Sequence, residues 1–299
     1  MANNIALFKE YVALLDEVYK RASLTSILDG NNELATMTQY SHEFLIPKMD
    51  MDGLGDYSRT EGYLAGSVTL EFETKAPNYD RARVFTVNEM DDIETVRLAF
   101  GRLSGEFIRT KAVPELDAFR FAKYASLVPN ANKVAATLSS GDAWVSAVST
   151  ATVALDEAEA PLEGRHLFLT SAGATAINNL DTTKSRAILD RFADFTIVPQ
   201  ARFYSAIDLK KGKIYTPTGS ETAVDETAGG YAKASGAKDI NFLVVTDGAQ
   251  IQYLKNVVNK IIDPMTNQDD DAWKFFYHLY GICDAYDNKK NGLYLHTAA

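Results

Sequence analysis

Four carboxylates lie close together near residue 90 and raise the question of metal binding or acid/base catalysis. Glu89, Asp91, Asp92 and Glu94 fall in the stretch DRARVFTVNEMDDIET, residues 80 to 95. Carboxylate oxygens bind hard cations, and carboxyl groups also serve as general acids and bases. A hydrolytic metal site would usually add a histidine or a carboxylate from elsewhere. This cluster instead precedes an apolar helical pattern, where acidic groups stabilise free amides and the helix dipole, so helix capping is the favoured interpretation.

Three further stretches resemble functional motifs but lack their defining residues. The acidic turn NQDDD, residues 267 to 271, has neither the alternating spacing, the glycine nor the closing glutamate of a calcium loop. Ser171 lies between a strand and a helix without a Gly-x-Ser-x-Gly elbow and is predicted to be a helix cap. The glycines of residues 219 to 236 match no phosphate-binding pattern. The sequence therefore predicts no catalytic, cofactor-binding or metal-binding residue.

The composition excludes several classes of protein. The 299 residues are 46% hydrophobic, enough for a large core, and the single Cys283 excludes an intramolecular disulfide framework. Cys283 lies among aromatic residues of a strand and is predicted to be a buried, inert thiol. A net charge of -10 repels nucleic acid on average, which argues against sequence-specific DNA binding. The N-terminus carries charges where a signal peptide needs an apolar run, and no stretch of about 18 apolar residues predicts a membrane span.

The first half of the chain reads as an arm, a hairpin and a long helix. Residues 4 to 22 place apolar side chains at steps of three and four, which predicts an amphipathic helix, and the chain up to Tyr40 is a polar extended arm. Residues 67 to 74 alternate as a half-exposed antiparallel strand, and residues 81 to 87 are predicted to return beside it as a two-stranded hairpin. Such a hairpin is marginal alone and needs another surface. Residues 92 to 126 predict one long helix, kinked or interrupted near Pro114.

The second half alternates strands and helices, so the fold class is α+β. NFLVVTDG is an apolar run that predicts a strand buried on both faces, and the following AQIQYLKNVV is predicted to be helical. Residues 219 to 236 are predicted to be an exposed, mobile loop. The other predicted elements are a helix at 143 to 159, strands in GRHLFLTS and in DFTIVPQARFY up to Pro199, a short helix from SAGATAINNL, a long strand at 273 to 286 and a final strand GLYLH.

Four stretches resemble the major capsid proteins of tailed bacteriophages, which share the Hong Kong 97 fold. They are GLGDYSRTEGYLAGSVTLEFET (53 to 74), DRARVFTVNEMDDIET (80 to 95), EFIRTKAVPELDAFRFAKYA (106 to 125) and DAWKFFYHLYGICDAYDNKKNGLYLH (271 to 296). The resemblance implies an N-terminal arm (1 to 45) and an extended β-hairpin loop (46 to 88) that lies across a neighbouring subunit. It further implies a peripheral domain (89 to 135 and 256 to 286) with a long spine helix (92 to 126). An axial domain (136 to 255 and 287 to 299) would turn the loop 219 to 236 toward the capsomer axis.

The resemblance also implies a function and partners. The chain would be a structural protein without enzymatic activity that self-assembles, as hexamers and pentamers, into the icosahedral capsid of a virion. The shell would enclose double-stranded DNA without sequence-specific binding and would assemble in the cytoplasm of the host bacterium. Further expected partners are a separate scaffolding protein, a portal and possibly a decoration protein, with no cofactor and no membrane. An encapsulin-type nanocompartment shell, which would enclose cargo enzymes, and a soluble α+β enzyme are the alternatives.

Two expectations about individual residues follow from the resemblance. The carboxylates of residues 89 to 94 would cap the spine helix at its joint with the returning strand. They would pair there with arginines such as Arg59, Arg81 or Arg83, on the same or an adjacent subunit. Some capsid proteins join subunits by lysine–asparagine isopeptide bonds. No crosslink is predicted here, because nothing in the sequence aligns an acceptor and a catalytic glutamate with the loop lysines Lys48 and Lys75.

Overall fold

The structure is a computed structural model that describes residues 23–29, 36–37, 44–57, 59–60, 62–94, 98–180, 187–215 and 224–299. The amphipathic helix predicted at residues 4 to 22 lies outside this part of the chain. The described elements, in chain order, are β1 (Thr36–Met37), β2 (Phe44–Met51), β3 (Val68–Lys75), β4 (Tyr79–Asn88), α1 (Glu89–Glu94), α2 (Leu98–Phe107), α3 (Val113–Leu127), β5 (Lys133–Ala135), α4 (Gly141–Glu157), β6 (Arg165–Thr170), α5 (Ser171–Asn178), β7 (Asp194–Val198), β8 (Ile207–Leu209), β9 (Ile214–Tyr215), β10 (Val224–Asp225), β11 (Tyr231–Lys233), β12 (Ile240–Thr246), β13 (Gln250–Ile262), β14 (Ala272–Ala285) and β15 (Leu293–Thr297).

The extended hairpin exists, but its second strand is not the predicted one. β3 pairs antiparallel with β2, with Met49 opposite Leu70, and β1 adds to the other edge of β2. The predicted pairing of β3 with β4 is wrong, because β4 leaves this sheet and pairs with β14. Asn78 holds the start of β4 there: its amide nitrogen donates to the Cys283 carbonyl at 2.7 Å, and its amide oxygen accepts from the Cys283 N–H at 3.1 Å. Alternation within one strand predicts its faces but not its partner.

The spine helix is observed as successive helical segments interrupted near Pro114, as predicted. α2 passes into a π-helical turn, Ile108–Ala112, and α3 follows directly. Pro114 lies in the first turn of α3, where a missing N–H costs little, and the wider π turn accommodates the change in hydrogen bonding. Hence the proline shifts the register of the helix and does not end it.

A three-stranded sheet, in the order β13-β14-β4, lies against the first part of α3. The predicted long strand near residue 280 is confirmed as β14. The helix predicted for AQIQYLKNVV is wrong, because these residues form β13, which pairs with β14 from Gln250 opposite Ala285 to Ile262 opposite Lys274. A bulge between Leu254 and Asn256 interrupts the alternation of β13, so its apolar pattern fits no strict period of two. The long pairing with β14 outweighs the local helical pattern.

A five-stranded sheet, in the order β5-β15-β12-β6-β7, separates two cores. On one face Phe121 of α3 packs with Phe168 and Leu243. On the other face Trp144 of α4 packs among the buried side chains of a second cluster that includes Phe242. β12 is therefore buried on both faces, as predicted for NFLVVTDG, and the spine helix bridges the two larger sheets. Among the described helices, none has the length and apolar character needed to cross a membrane.

The loop predicted at residues 219 to 236 is described from residue 224 onward. β10 pairs with β9, and β11 pairs with β8. Its described part is largely exposed, as predicted, but it is also held to the body. Arg83 of β4 donates to the Thr227 carbonyl at 2.9 Å, and Arg81 donates to the Gly230 carbonyl at 3.4 Å. The predicted position of this loop at a capsomer axis stays a prediction.

Candidate assembly surfaces

The extended hairpin carries an apolar stripe on one face. The stripe consists of Met49 and Met51 of β2 and Val68, Leu70 and Phe72 of β3, whose exposed fractions lie between 53% and 67%. Met49 lies opposite Leu70, and Met51 lies opposite Val68, so the side chains form one continuous surface. The opposite face carries polar residues, among them Lys48, Asp50, Thr69 and Glu71. An exposed apolar stripe of this kind marks a surface that another element covers.

The turn of the hairpin, residues 52 to 67, is the loop tip. Asp52 closes it, since its carboxylate accepts from the Ser67 N–H at 2.7 Å and its N–H donates to the Ser67 carbonyl at 3.1 Å. Large apolar side chains of the loop tip are strongly exposed: Leu54, Tyr57, Tyr63 and Leu64. The rings of Tyr57 and Tyr63 contact each other with centroids 5.1 Å apart. The loop tip thus has an ordered base and a surface that the described chain leaves uncovered.

The base of the hairpin is held by Lys75 at the end of β3. Its ammonium lies 3.0 Å from Glu73, 3.6 Å from Asp284 and 3.4 Å from Asp287, and it donates to the Ala285 carbonyl at 3.4 Å. We call this group the lysine clamp. Although burial lowers the pKa of Lys75, its hydrogen bond to Glu73 and the charges of Asp284 and Asp287 raise that pKa above its usual value. The absence of an isopeptide bond at Lys75 stays a prediction.

The lysine clamp also shifts the pKa of Asp287. A hydrogen bond with Glu73, followed by contacts with Lys290 and Lys75, holds the pKa of the Asp287 carboxyl well below its usual range. Lys290 forms an ion pair with Asp287 three residues along the chain. The clamp therefore joins the hairpin to the chain that follows β14 through charges that persist across the neutral pH range.

A buried polar network fixes residues 23–29 against the spine helix, and we call it the arm anchor. The fully buried carboxylate of Asp117 accepts hydrogen bonds from the hydroxyls of Ser23 at 2.8 Å and Thr25 at 2.7 Å, and from the Leu24 N–H at 3.0 Å. Arg202 completes its contacts at 3.3 Å. A buried carboxylate is tolerated only when it is satisfied in this way.

Arg120 and Gln252 hold the other end of the same segment. The buried Arg120 guanidinium donates to the Thr25 hydroxyl at 2.8 Å and to Asp29 at 2.9 Å. The amide of Gln252 donates to the Thr25 carbonyl and to Asp29, both at 2.8 Å. Sequence reasoning missed this network, although Asp117 and Arg120 lie three residues apart among the apolar positions of the predicted helix, which was an available signal.

The carboxylates near residue 90 lie at a helix start, as interpreted from the sequence. Glu89, Asp91 and Asp92 occupy the first turn of α1, and the side chain of Asn88 accepts from the Met90 N–H at 3.0 Å. The predicted pairing with Arg81 within the chain is wrong, because Arg81 forms an ion pair with Glu115 at 2.7 Å. Within the described residues, no group of three or more His, Cys, Asp or Glu side chains could hold a metal ion.

The remaining candidates have structural explanations. In the acidic turn of residues 267 to 271, the Lys274 ammonium lies 3.0 Å from the Asn267 side chain and 2.9 Å from Asp269. The lysine thus occupies the oxygen atoms that a bound metal cation would need as ligands. Cys283 is buried, as predicted, and burial raises the pKa of its thiol to about 12; its inertness stays a prediction. The cap of α5 is Thr170, whose hydroxyl accepts from the Gly173 N–H at 3.3 Å, so the predicted cap at Ser171 is wrong by one residue.

No protein-family profile matches the sequence, and no curated protein resembles it significantly in sequence. Solved structures are similar in fold. The capsid of the cyanophage P-SCSP1u matches with a TM-score of 0.55 at 11% identity, over 88% of this chain and 85% of that one.

The mature capsid of bacteriophage PhiM1 matches with a TM-score of 0.56 at 10% identity, over 87% of this chain and 83% of that one. The virus-like particle from Pyrococcus furiosus matches with a TM-score of 0.51 at 11% identity, over 96% and 99% of the two chains. Such likeness over nearly whole chains establishes a common architecture. The chain therefore has an α+β fold of the Hong Kong 97 type, the fold of tailed-phage capsid proteins.

Proposed function

We propose that this chain is a major capsid protein, which self-assembles into the icosahedral shell around the double-stranded DNA of a tailed bacteriophage. The observation that carries the proposal is the apolar stripe of the extended hairpin. Its side chains remain more than half exposed in a chain with large, well-packed cores. A second molecule can cover such a stripe, and a shell of identical subunits supplies one at every position.

The architecture divides into the parts of a shell subunit. In this proposal residues 1–45 are the arm, residues 46–88 the extended loop, residues 89–135 and 256–286 the peripheral domain, and residues 136–255 and 287–299 the axial domain. The lysine clamp joins the extended loop to the body, and the arm anchor fixes the point from which the arm departs. Both devices set the direction of elements that reach other subunits of the hexamers and pentamers.

The charge of the chain suits a container for DNA. Forty acidic against 30 basic residues make its net charge -10, so packaged DNA is not drawn onto the wall on average. Counterions would neutralise the genome. The role is mechanical and needs no cofactor or catalysis. The same proposal includes assembly in the bacterial cytoplasm with a separate scaffolding protein and a portal. It also allows a decoration protein on the outer surface.

A shell that encloses cargo enzymes is the second candidate, because encapsulin-type shells would share this fold. Expression of the full chain, alone and with a scaffolding protein, followed by sedimentation and negative-stain imaging, tests both candidates. Closed particles are expected. Particles purified from the native source that contain double-stranded DNA support the phage capsid, whereas particles with a copurifying enzyme and no nucleic acid support the nanocompartment. A protein that stays monomeric at every concentration and binds a small ligand would contradict both.

A further inference from the structure

The five-stranded sheet ends in two open edges, and both edge strands run in the same direction. Its order is β5-β15-β12-β6-β7, so within the described residues β5 and β7 each have a paired neighbour on one side only. β15 and β6 run antiparallel to β12, while β5 is parallel to β15 and β7 is parallel to β6. An edge strand keeps a row of N–H and C=O groups that can pair with a further strand. Two edges of the same direction suit a head-to-tail contact between identical subunits related by rotation.

Both edges expose an apolar side chain on the same face of the sheet. Phe195 of β7 is 45% exposed and lies beside Leu167, which belongs to the core on the α4 side. Val134 of β5 is 37% exposed and lies beside His296, whose ring stacks on Phe242 of that core with centroids 5.0 Å apart. Paired residues of parallel strands share a face. Continuation of the sheet from β7 to β5 of a second copy therefore brings Phe195 and Val134 together.

The two edge strands begin with opposite charges. Lys133 opens β5, and Asp194 opens β7. In the part of the chain that the structure describes, neither forms a salt bridge, and the Lys133 ammonium approaches the Ser126 carbonyl at 3.4 Å. A charge on an edge strand opposes unwanted pairing, but opposite charges at equal positions favour the pairing of these two edges in one register. That register sets Lys133 beside Asp194, Val134 beside Phe195 and Ala135 beside Thr196.

The free edge of the three-stranded sheet differs from these two edges. A bulge between Leu254 and Asn256 interrupts β13, and a bulge of this kind protects an edge from further pairing. The pairings of β5 with β15 and of β7 with β6 continue without a shift in register. The five-stranded sheet is therefore regular enough at both edges to continue into another copy.

We propose that β7 of one subunit pairs in parallel with β5 of the next, so that the five-stranded sheets join around each hexamer or pentamer. This inference rests on the proposed function, because it names a contact that closes the ring of subunits. Each contact is short, since β5 has three residues and β7 has five. Repetition around a closed ring gives stability to a contact that is weak on its own.

Disulfide formation in the assembled full-length protein tests the pairing. The double variant Ala135→Cys with Thr196→Cys places one thiol on each edge, at neighbouring positions of the expected register. In the matched control, Thr150→Cys on α4 replaces Thr196→Cys, since Thr150 is exposed and lies outside both edges. The native Cys283 is buried and does not compete.

Mild oxidation of the double variant should link subunits into a ladder of bands that ends at the pentamer and hexamer on a denaturing gel. Its linked fraction should exceed that of the control about tenfold, because paired strands give the thiols a high effective concentration. Equal linked fractions would overturn the inference. Linked dimers of the Thr196→Cys single variant would also overturn it, because they would show β7 paired with itself about a two-fold axis.

Imaging of the same samples separates this inference from the proposed function. Closed shells without the ladder contradict the edge pairing and keep the proposed function. Linked rings that never close into shells, with or without a scaffolding protein, support the edge pairing and contradict the proposed function.

A charge exchange, followed by sedimentation velocity, provides the second measurement. Lys133→Glu should reduce association about tenfold or more, because it sets a like charge beside Asp194 at every contact of the ring. Asp194→Lys in the same chain restores opposite charges and should recover most of the loss. Lys238→Glu changes the net charge equally, at an exposed lysine outside both edges, and should leave association unaltered. Equal losses for Lys133→Glu and Lys238→Glu, or no recovery in the double variant, contradict the pairing.

Discussion

The extended hairpin and the arm anchor use polar and apolar groups in opposite ways. In the arm anchor, buried Asp117 and Arg120 find their partners within the same chain. In the hairpin, the apolar side chains of the stripe stay exposed, and the lysine clamp joins its base to the body. The anchor is complete in one subunit, whereas in the proposed shell the hairpin is completed by another. Folding should therefore depend on the anchor and assembly on the hairpin.

The largest effect is expected from removal of the anchor carboxylate. Asp117→Ala leaves the Ser23 and Thr25 donors and Arg202 without their acceptor, and it should lower the free energy of unfolding by about 3–5 kcal/mol. Chemical denaturation of the full chain measures the change. The control is Asp194→Ala, at an exposed position of β7, which should stay within about 0.5 kcal/mol of the native chain. A loss below about 1 kcal/mol for Asp117→Ala would show that the anchor does not support the fold.

The apolar stripe should show the reverse pattern. Leu70→Ser removes an exposed leucine, so the unfolding free energy of the monomer should change little. Assembly should lose about 1.5–3 kcal/mol per contact, that is, more than tenfold in the concentration at which particles form. Light scattering against protein concentration measures this threshold. Thr69→Ser on the opposite face is the control, and an unchanged threshold for Leu70→Ser would contradict the role of the stripe.

The lysine clamp should make the attachment of the hairpin dependent on pH. The pKa of Asp287 is depressed, so its contribution to stability is present above the usual carboxyl pKa of about 4 and is lost as the pH falls through its lower value in the folded chain. Lys75→Met should reduce the change in unfolding free energy between neutral and acidic pH by about 1 kcal/mol or less, because the clamp is partly exposed. Denaturation of both proteins between about pH 2 and pH 7 measures it.

Lys48→Met, at an exposed lysine of the same hairpin, is the control for this pH experiment. Its pH dependence should equal that of the native chain. Parallel pH curves for the Lys75→Met variant and the native chain would mean that the clamp does not carry the dependence.

A small effect is also expected at the joint between β4 and the spine helix. Asp91→Ala with Asp92→Ala removes two acidic groups from the first turn of α1, and each interaction with the helix dipole is worth about 0.3–1 kcal/mol. Particles of the double variant should therefore dissociate at a lower denaturant concentration, or form less readily. Glu157→Ala, at the far end of α4, lacks this N-terminal position and should not weaken them. Unchanged particles in the double variant would count against the joint.

The spacing of apolar residues correctly predicted the elements whose buried face follows directly from that spacing. The apolar run of β12, the alternation of β14 and the interruption of the spine helix near Pro114 are all observed. Two of the wrong predictions involve long-range pairing: β13 has a helical apolar pattern but pairs with β14, and β4 pairs with β14 instead of β3. Strand partners depend on contacts between residues distant in the sequence, which a local period does not contain.

The candidate surfaces were predicted in part. The sequence showed that a hairpin with a half-exposed strand needed a partner, and the apolar stripe confirms its exposed character. It gave no sign of the lysine clamp, because Lys75 lies more than 200 positions from Asp284 and Asp287. The two open edges are also a product of the fold, since β5 and β7 become edges of one sheet only in three dimensions.

The most direct test of the account is an electron cryomicroscopy reconstruction of the assembled full-length chain. The account predicts closed icosahedral shells in which β2 and β3 of one subunit lie across the next, with the apolar stripe covered. A chain that remains monomeric with the stripe exposed, or a shell in which the hairpin contacts only its own subunit, would contradict it.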